Sequence, residues 1–167
     1  TTGALTLTGN TTLANYQTAI RNITYQNTNN GNPSAATRTL SITTNDGSLN
    51  SDVLTRDIEI TPVNDAPVLA AIESTALSFT EGDAAKAITA TLTASDVDNA
   101  DLTSAVIEIT SNYLDTEDVL TFTDANGITG SWDATTGVLT LTGNATIAQY
   151  QTAIRSITYQ NTNNGNP

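Results

Sequence analysis

The chemistry this chain could perform is concentrated in short acidic runs. Asn64-Asp65 stands directly before Ala66-Pro67, and Asp96-Val97-Asp98-Asn99-Ala100-Asp101 follows downstream. Glu81-Gly82-Asp83 and Asp46, within Asn45-Asp46-Gly47, are smaller clusters of the same kind. Carboxylate and amide oxygens are the ligands of hard divalent cations, and calcium takes about six to eight of them. Alternate residues of an extended backbone share a face, so Asp96 and Asp98 offer two carboxylates to one side. Pro67 stiffens the segment that carries Asn64 and Asp65. The expected metal ligands are therefore Asn64, Asp65, Asp96 and Asp98, with Asp46, Glu81 and Asp101 behind them. The competing use of every one of these residues is ordinary turn formation, which Asp and Asn favour. A fifth cluster, Asp115-Thr116-Glu117-Asp118, is less patterned and reads as a solvated turn.

Composition narrows the partners. Seventeen acids face five bases, for a net charge of -12. Such a chain does not seek nucleic-acid phosphates or anionic membrane surfaces. It does suit cations, of which calcium is the hard divalent ion abundant outside cells. Cys and His are both absent. That removes the usual zinc, copper and iron ligands, the thiol nucleophile and the commonest general base. An enzyme is not expected: acids in turns around a small sandwich imply no cleft. No stretch is long and apolar enough to cross a membrane, and no signal peptide is visible. The chain opens in mid-pattern without Met, so its true N-terminus is expected elsewhere.

The strongest pattern is an internal repeat. Residues 1–33 and 135–167 match with a period of 134 residues, differing only at Ala4/Val138, Thr11/Ala145, Leu13/Ile147, Asn15/Gln149 and Asn22/Ser156. The chain thus spans one full period plus an overlap. The natural boundary is the Pro-containing segment 61–67. Residues 1–65 are then the C-terminal part of one repeat, and residues 66–167 the N-terminal part of the next, neither complete. Near-identical neighbours imply a tandem array in which each unit contacts mainly its neighbours.

Within a repeat the apolar period is mostly two. Ile88, Ala90, Leu92 and Ala94 alternate with Thr, and Ala105, Ile107 and Ile109 with Val106 and Glu108. Leu120 with Phe122, then Ile128 with Trp132, Leu139 with Leu141 and Leu5 with Leu7 continue the pattern, which Leu40, Ile42, Ile58 and Ile60 close. These are half-buried strands with Thr on the wet face. Asp124-Ala125-Asn126-Gly127 and Asn45-Asp46-Gly47 mark turns. Many short strands of this kind predict an all-β sandwich. One stretch breaks the rhythm: Ile147, Tyr150, Ile154 and Ile157 have helical spacing, and Thr146 with Gln149 fits a capping box. The first copy keeps the stripe as Leu13, Tyr16, Ile20 and Ile23, with a box weakened by Asn15. One short helix per repeat is expected, crossing from one sheet to the other with its Tyr in the core.

The chain resembles the bacterial cadherin-like repeats of large secreted adhesins, over essentially its whole length. Val63-Asn64-Asp65-Ala66-Pro67 is similar to the cadherin linker in which Asn and Asp ligate calcium. Leu40-x-Ile42-x-Thr44-x-Asp46-Gly47 resembles the strand that ends in a calcium-binding Asp, and Asp96-x-Asp98 the family's D-x-D loop. Glu81 stands where the family often carries a calcium-ligating Glu. The stretch from Gly127 to Gln160 resembles the variety found in very long bacterial surface proteins. An earlier linker Asp (Thr61 here), an extra Asn before Ala-Pro and a D-R-E triplet are missing, so the three-ion cluster of animal cadherins is not implied. The resemblance implies a cadherin-like, Ig-like Greek-key β-sandwich in tandem, secreted to a bacterial cell surface as an adhesive or structural stalk. It also implies Ca2+ at each junction, ligated from both neighbours. Asn64 and Asp65 would close one repeat, Asp96 and Asp98 would face that junction from the next, and Asp46 and Glu81 would serve the junctions before and after.

The expected partners are neighbouring copies of the same repeat, with cell-surface or matrix glycans as a second class. The rival function is a carbohydrate-binding module, in which Trp132 would stack on a sugar; its phase with Ile128 instead predicts the core. Lys86, the single lysine, is expected to be exposed in an acid-rich turn rather than crosslinked to Asn. The sequons at Asn10, Asn22 and Asn144 read as incidental. The chain is either a window of a continuous fibre or a fragment completed by the tail of a neighbour.

Overall fold

The computed structural model describes residues 3–163 and 165. The architecture is mostly β, with small antiparallel sheets and two short helices. The chain divides between Thr61 and Pro62 into two compact units.

The first unit contains helix α1 (Leu13–Arg21) and a hairpin of strands β1 (Arg38–Ile42) and β2 (Leu54–Ile58). Thr12 caps α1 by accepting the Asn15 N–H. The Asn15 side chain turns instead to the Thr11 hydroxyl, so the reciprocal half of the box is missing. In the hairpin, Leu40 faces Arg56, Ile42 faces Leu54 and Arg38 faces Ile58. Directly opposed residues project to one face, which gathers Leu40, Ile42, Leu54 and Ile58; Thr39, Ser41, Thr55 and Asp57 take the other. On that face Leu40 and Leu54 are exposed, Leu54 by 71%, while Ile42 and Ile58 are partly buried.

The second unit holds β3 (Val68–Ala70), β4 (Lys86–Ala87), β5 (Thr93–Ser95), β6 (Asp101–Glu108), β7 (Asp118–Thr121), β8 (Thr129–Asp133), β9 (Val138–Thr146), α2 (Ile147–Ser156) and β10 (Thr158–Asn161). Its sheets have the orders β4-β10-β7, β3-β5 and β6-β9-β8. Leu120, Ile128, Leu139, Leu141, Ile154 and Ile157 are buried together around Tyr150. Helix α2 leaves β9 of one sheet and delivers the chain to β10 of another, with Tyr150 and Ile154 turned inward. Thr146 and Gln149 form the complete capping box. The Tyr150 hydroxyl donates to the Gly143 carbonyl at 2.7 Å, which satisfies its polar end inside the core.

The two copies of the repeated segment share local geometry but not packing. Tyr16 donates to Gly9 at 2.6 Å, as Tyr150 does to Gly143. Gly9 and Gly143 also share an unusual backbone, at φ 145° and 140°. Yet Leu139 is 2% exposed and its counterpart Leu5 is 68% exposed. Leu139 and Leu141 lie on β9 between β6 and β8, and among the described residues the first unit has no corresponding strands beside residues 4–12. A strand needs a partner for its ladder, so Leu5 and Leu7 do not form the predicted strand.

The expected strand Ile88–Ala94 is also interrupted. Thr89 points inward and is buried, while Ala90 is exposed. The cause is Glu73, whose carboxylate accepts the Thr89 hydroxyl at 2.7 Å and the N–H groups of Ala90 at 2.7 Å and Thr91 at 3.1 Å. Lys86 is not fully exposed either: its ammonium bonds Asp83 at 2.5 Å and the Ser78 carbonyl at 2.8 Å, and lies 5.4 Å from the Phe79 ring centre.

Candidate functional site

Strand pairing determines which acids meet. Asn64–Pro67 runs straight into β3, and Asp96–Asn99 runs straight out of β5. Because β3 and β5 are antiparallel with Val68 opposite Ser95, the two loops emerge at the same end of that pair. Hydrogen bonds then join them. The Asp65 N–H donates to the Asp98 carboxylate at 2.5 Å, and the Asn99 amide donates to the Asn64 side-chain oxygen at 2.7 Å. The Asn64 amide donates onward to the Asp65 carbonyl at 2.7 Å.

Asp96 shapes the second loop. One of its carboxylate oxygens accepts the N–H groups of Asp98 and Asn99, both at 2.8 Å. Those bonds, from Asn99 first and Asp98 second, hold its carboxyl below the usual Asp value. The loop is thus an anionic turn whose geometry is maintained by one of its own acids. Asp101 opens β6, opposite Thr146, the residue that caps α2.

The other two candidates stand apart from this group. Glu81 sits in the turn between Thr80 and Asp83, where Gly82 adopts φ 79°. Asp83 dominates that turn, accepting the Thr80 N–H at 2.8 Å and the Lys86 ammonium at 2.5 Å. Asp46 belongs to the first unit, in the loop of its hairpin. It accepts the Ser48 and Leu49 N–H groups, both at 2.9 Å. Those bonds, Leu49 first, lower its carboxyl pKa.

The donor types at Asn64, Asp65, Asp96, Asp98 and Asn99 are all oxygens, and match a hard cation. Their arrangement falls short of a formed metal centre: among the described residues no three Asp, Glu, His or Cys side chains converge closely enough to hold an ion. What the structure brings together is two carboxylate loops linked through Asn64, Asp65, Asp98 and Asn99.

Three acids outside this group carry more of the fold than their sequence context indicates. Asp118 is buried rather than solvated, accepting the Leu114 N–H at 2.9 Å and the Tyr159 hydroxyl at 2.6 Å. Its neighbour Glu117 accepts the side-chain amides of Asn161 at 3.3 Å and Asn163 at 2.8 Å. Glu73 carries no motif, and only its position within reach of Thr89–Thr91 reveals it. Trp132 is half-buried and packs edge-to-face on Tyr113, with ring centres 6.0 Å apart. No helix among the described residues is long and apolar enough to cross a membrane. Comparison with protein-family models, with curated proteins and with solved structures gave no match to the chain.

Proposed function

We propose that this chain is part of an extracellular tandem array of cadherin-like β-sandwich modules, serving as an adhesive or structural stalk that calcium stiffens. The reading assigns it no catalysis. The single observation that carries the proposal is the linkage of Asn64–Asp65 to Asp96–Asn99. A connecting segment and a D-x-D loop, distant in sequence, share hydrogen bonds at one end of the β3–β5 pair. The near-identity of segments 1–33 and 135–167 supports the array. The charge of -12 supports a cation as the ligand.

In this reading calcium recruits carboxylate oxygens of Asp65, Asp96 and Asp98 with side-chain oxygens of Asn64 and Asn99. It thereby fastens residues 62–67, which lead into β3, onto the loop that leaves β5. Asp101 joins the same loop's charge, and Asp46 and Glu81 serve other junctions of the array. Binding rearranges the present hydrogen bonds, since the Asn64 oxygen is now occupied by the Asn99 amide. Thermal unfolding followed at Trp132 tests the proposal. A ligand that binds only the folded form at a hundred times its Kd stabilises by about 2.7 kcal/mol. That corresponds to a melting shift of about 10–20 °C for a unit of this size. Superimposable curves in calcium and in chelator, at matched ionic strength, would remove the metal from the proposal.

A further inference from the structure

We propose that Gln151 and Arg155 of α2 are positioning residues for the paired loops Asn64–Asp65 and Asp96–Asn99. Both loops hang on the β3–β5 pair, which among the described residues is a sheet of two strands. Two strands alone are marginal in water. The pair therefore needs another support if the loops are to stay in register.

Helix α2 supplies that support on the edge of β5 turned away from β3. Successive residues of a strand direct their N–H and C=O groups to opposite edges, so Leu92 and Ala94 share one edge. The Gln151 side-chain oxygen accepts the Ala94 N–H at 2.9 Å. The Arg155 Nε donates to the Leu92 carbonyl at 2.8 Å, and its Nη2 to the Thr91 carbonyl at 3.3 Å. Gln151 and Arg155 stand four residues apart, on one face of the helix. An amide and a guanidinium thus take the place of a neighbouring strand. Leu92 and Ala94 are buried, where an unpaired backbone group is costly. The helix grips the far end of the loop as well. Ile147, the first residue of α2, donates its N–H to the Ala100 carbonyl at 3.0 Å, directly after Asn99. The Asp96–Asn99 loop is therefore held on α2 at its entry and at its exit. Asn64–Asp65 follows through its bonds to Asp98 and Asn99. Arg155 is one of two bases in the second unit, with Lys86, and these bonds spend it on carbonyls.

The effect of Gln151 and Arg155 on calcium rests on the proposed site, whereas their hold on the loops exists without metal. Amide hydrogen exchange of the full chain in chelator, paired with calcium calorimetry, tests both. In Gln151→Leu and in Arg155→Met, exchange at Thr93, Ser95 and Asp98, whose amides lie outside these bonds, should rise about three- to tenfold. The β9 amides should keep their parent rates. Calcium affinity should fall several-fold in both variants. Coulomb attraction alone gives Arg155→Met the opposite sign, because removing a positive charge favours a bound cation. Arg155→Lys, which keeps the charge and a donor, should retain most of the affinity. Should either variant lack a Trp132 unfolding transition, Arg155→Lys carries the exchange test, with a smaller rise still confined to the β3–β5 pair and its loops. Unaltered exchange overturns the positioning role, as does a rise shared equally by β9. Calcium binding that the variants leave unchanged or tighten also overturns it. Selective exchange in a chain that binds no calcium upholds the hold on the loops and removes the metal reading alone.

Discussion

Gly143→Ala and Gly9→Ala make the same chemical change in two copies of one sequence, and the structure separates their outcomes. Gly143 lies in β9 at a bulge, where Gly143 and Asn144 oppose the single residue Thr103 between the pairs Leu102–Ala145 and Ser104–Thr142. Its φ is 140°, and a methyl group there would lie 2.1 Å from the Gly127 carbonyl oxygen and 3.2 Å from the Ile128 Cα. Both obstacles are backbone, pinned by the Ala125–Ile128 bridge of the adjacent turn. Gly9 has φ 145° and nothing within 4 Å of the added methyl. Backbone strain is common to the two substitutions, at about 1–3 kcal/mol. Gly143→Ala adds overpacking of about 1–3 kcal/mol, for a total of about 4 kcal/mol. With a urea slope of about 2 kcal/mol/M, that lowers the unfolding midpoint by about 2 M. Trp132, the single tryptophan, pairs with Leu139 on β9 and so reports the second unit. Its fluorescence midpoint should fall for Gly143→Ala and hold for Gly9→Ala. Equal shifts, or an unchanged midpoint for Gly143→Ala, would refute the claim that close approach of the 126–128 turn dictates this glycine.

Three further outcomes follow from named contacts. The Ala90 N–H first, and the Thr89 hydroxyl next, hold the Glu73 carboxyl at about 2, whereas an unfolded Glu titrates at about 4.3. The stabilisation is therefore complete above that value and is lost as pH falls toward 2; Glu73→Gln should flatten this part of the melting-temperature profile, and an unaltered profile would contradict the role. Asp118→Ala orphans the Leu114 N–H and the Tyr159 hydroxyl and should cost about 2–3 kcal/mol by urea unfolding, with Asp118→Asn milder because it keeps an acceptor. Thr146→Ala removes the cap of α2 and should cost about 1 kcal/mol at Trp132, while Thr12→Ala should leave that signal unmoved.

Local signals in the sequence carried through where they needed no distant partner. The Thr146–Gln149 box and the stripe through Tyr150 produce the predicted helix, and Thr12 with Tyr16 produces it again in the first copy. Even the hydrogen bond from each Tyr to its glycine recurs. Alternation failed where a tertiary contact replaced a ladder. Glu73 takes the N–H groups of Ala90 and Thr91 and turns Thr89 inward, which no period-two pattern encodes. Leu5 and Leu7 keep the alternation of Leu139 and Leu141, but lack the flanking strands that bury the second pair. In the candidate site, the meeting of Asn64–Asp65 with Asp96–Asn99 depends on the β3–β5 register, which sequence spacing does not specify. The burial of Asp118 was illegible for a similar reason: its partner Tyr159 reaches it through the β7–β10 pairing.

Calcium titration by isothermal calorimetry reads the proposed site at Asn64–Asp65 and Asp96–Asn99 itself. The intact chain should bind calcium saturably and give no comparable heat with magnesium, and binding should be lost in an Asp65→Asn/Asp98→Asn variant whose Trp132 midpoint in chelator is unaltered. Absence of calcium heat, or undiminished heat in the variant, would contradict calcium binding there.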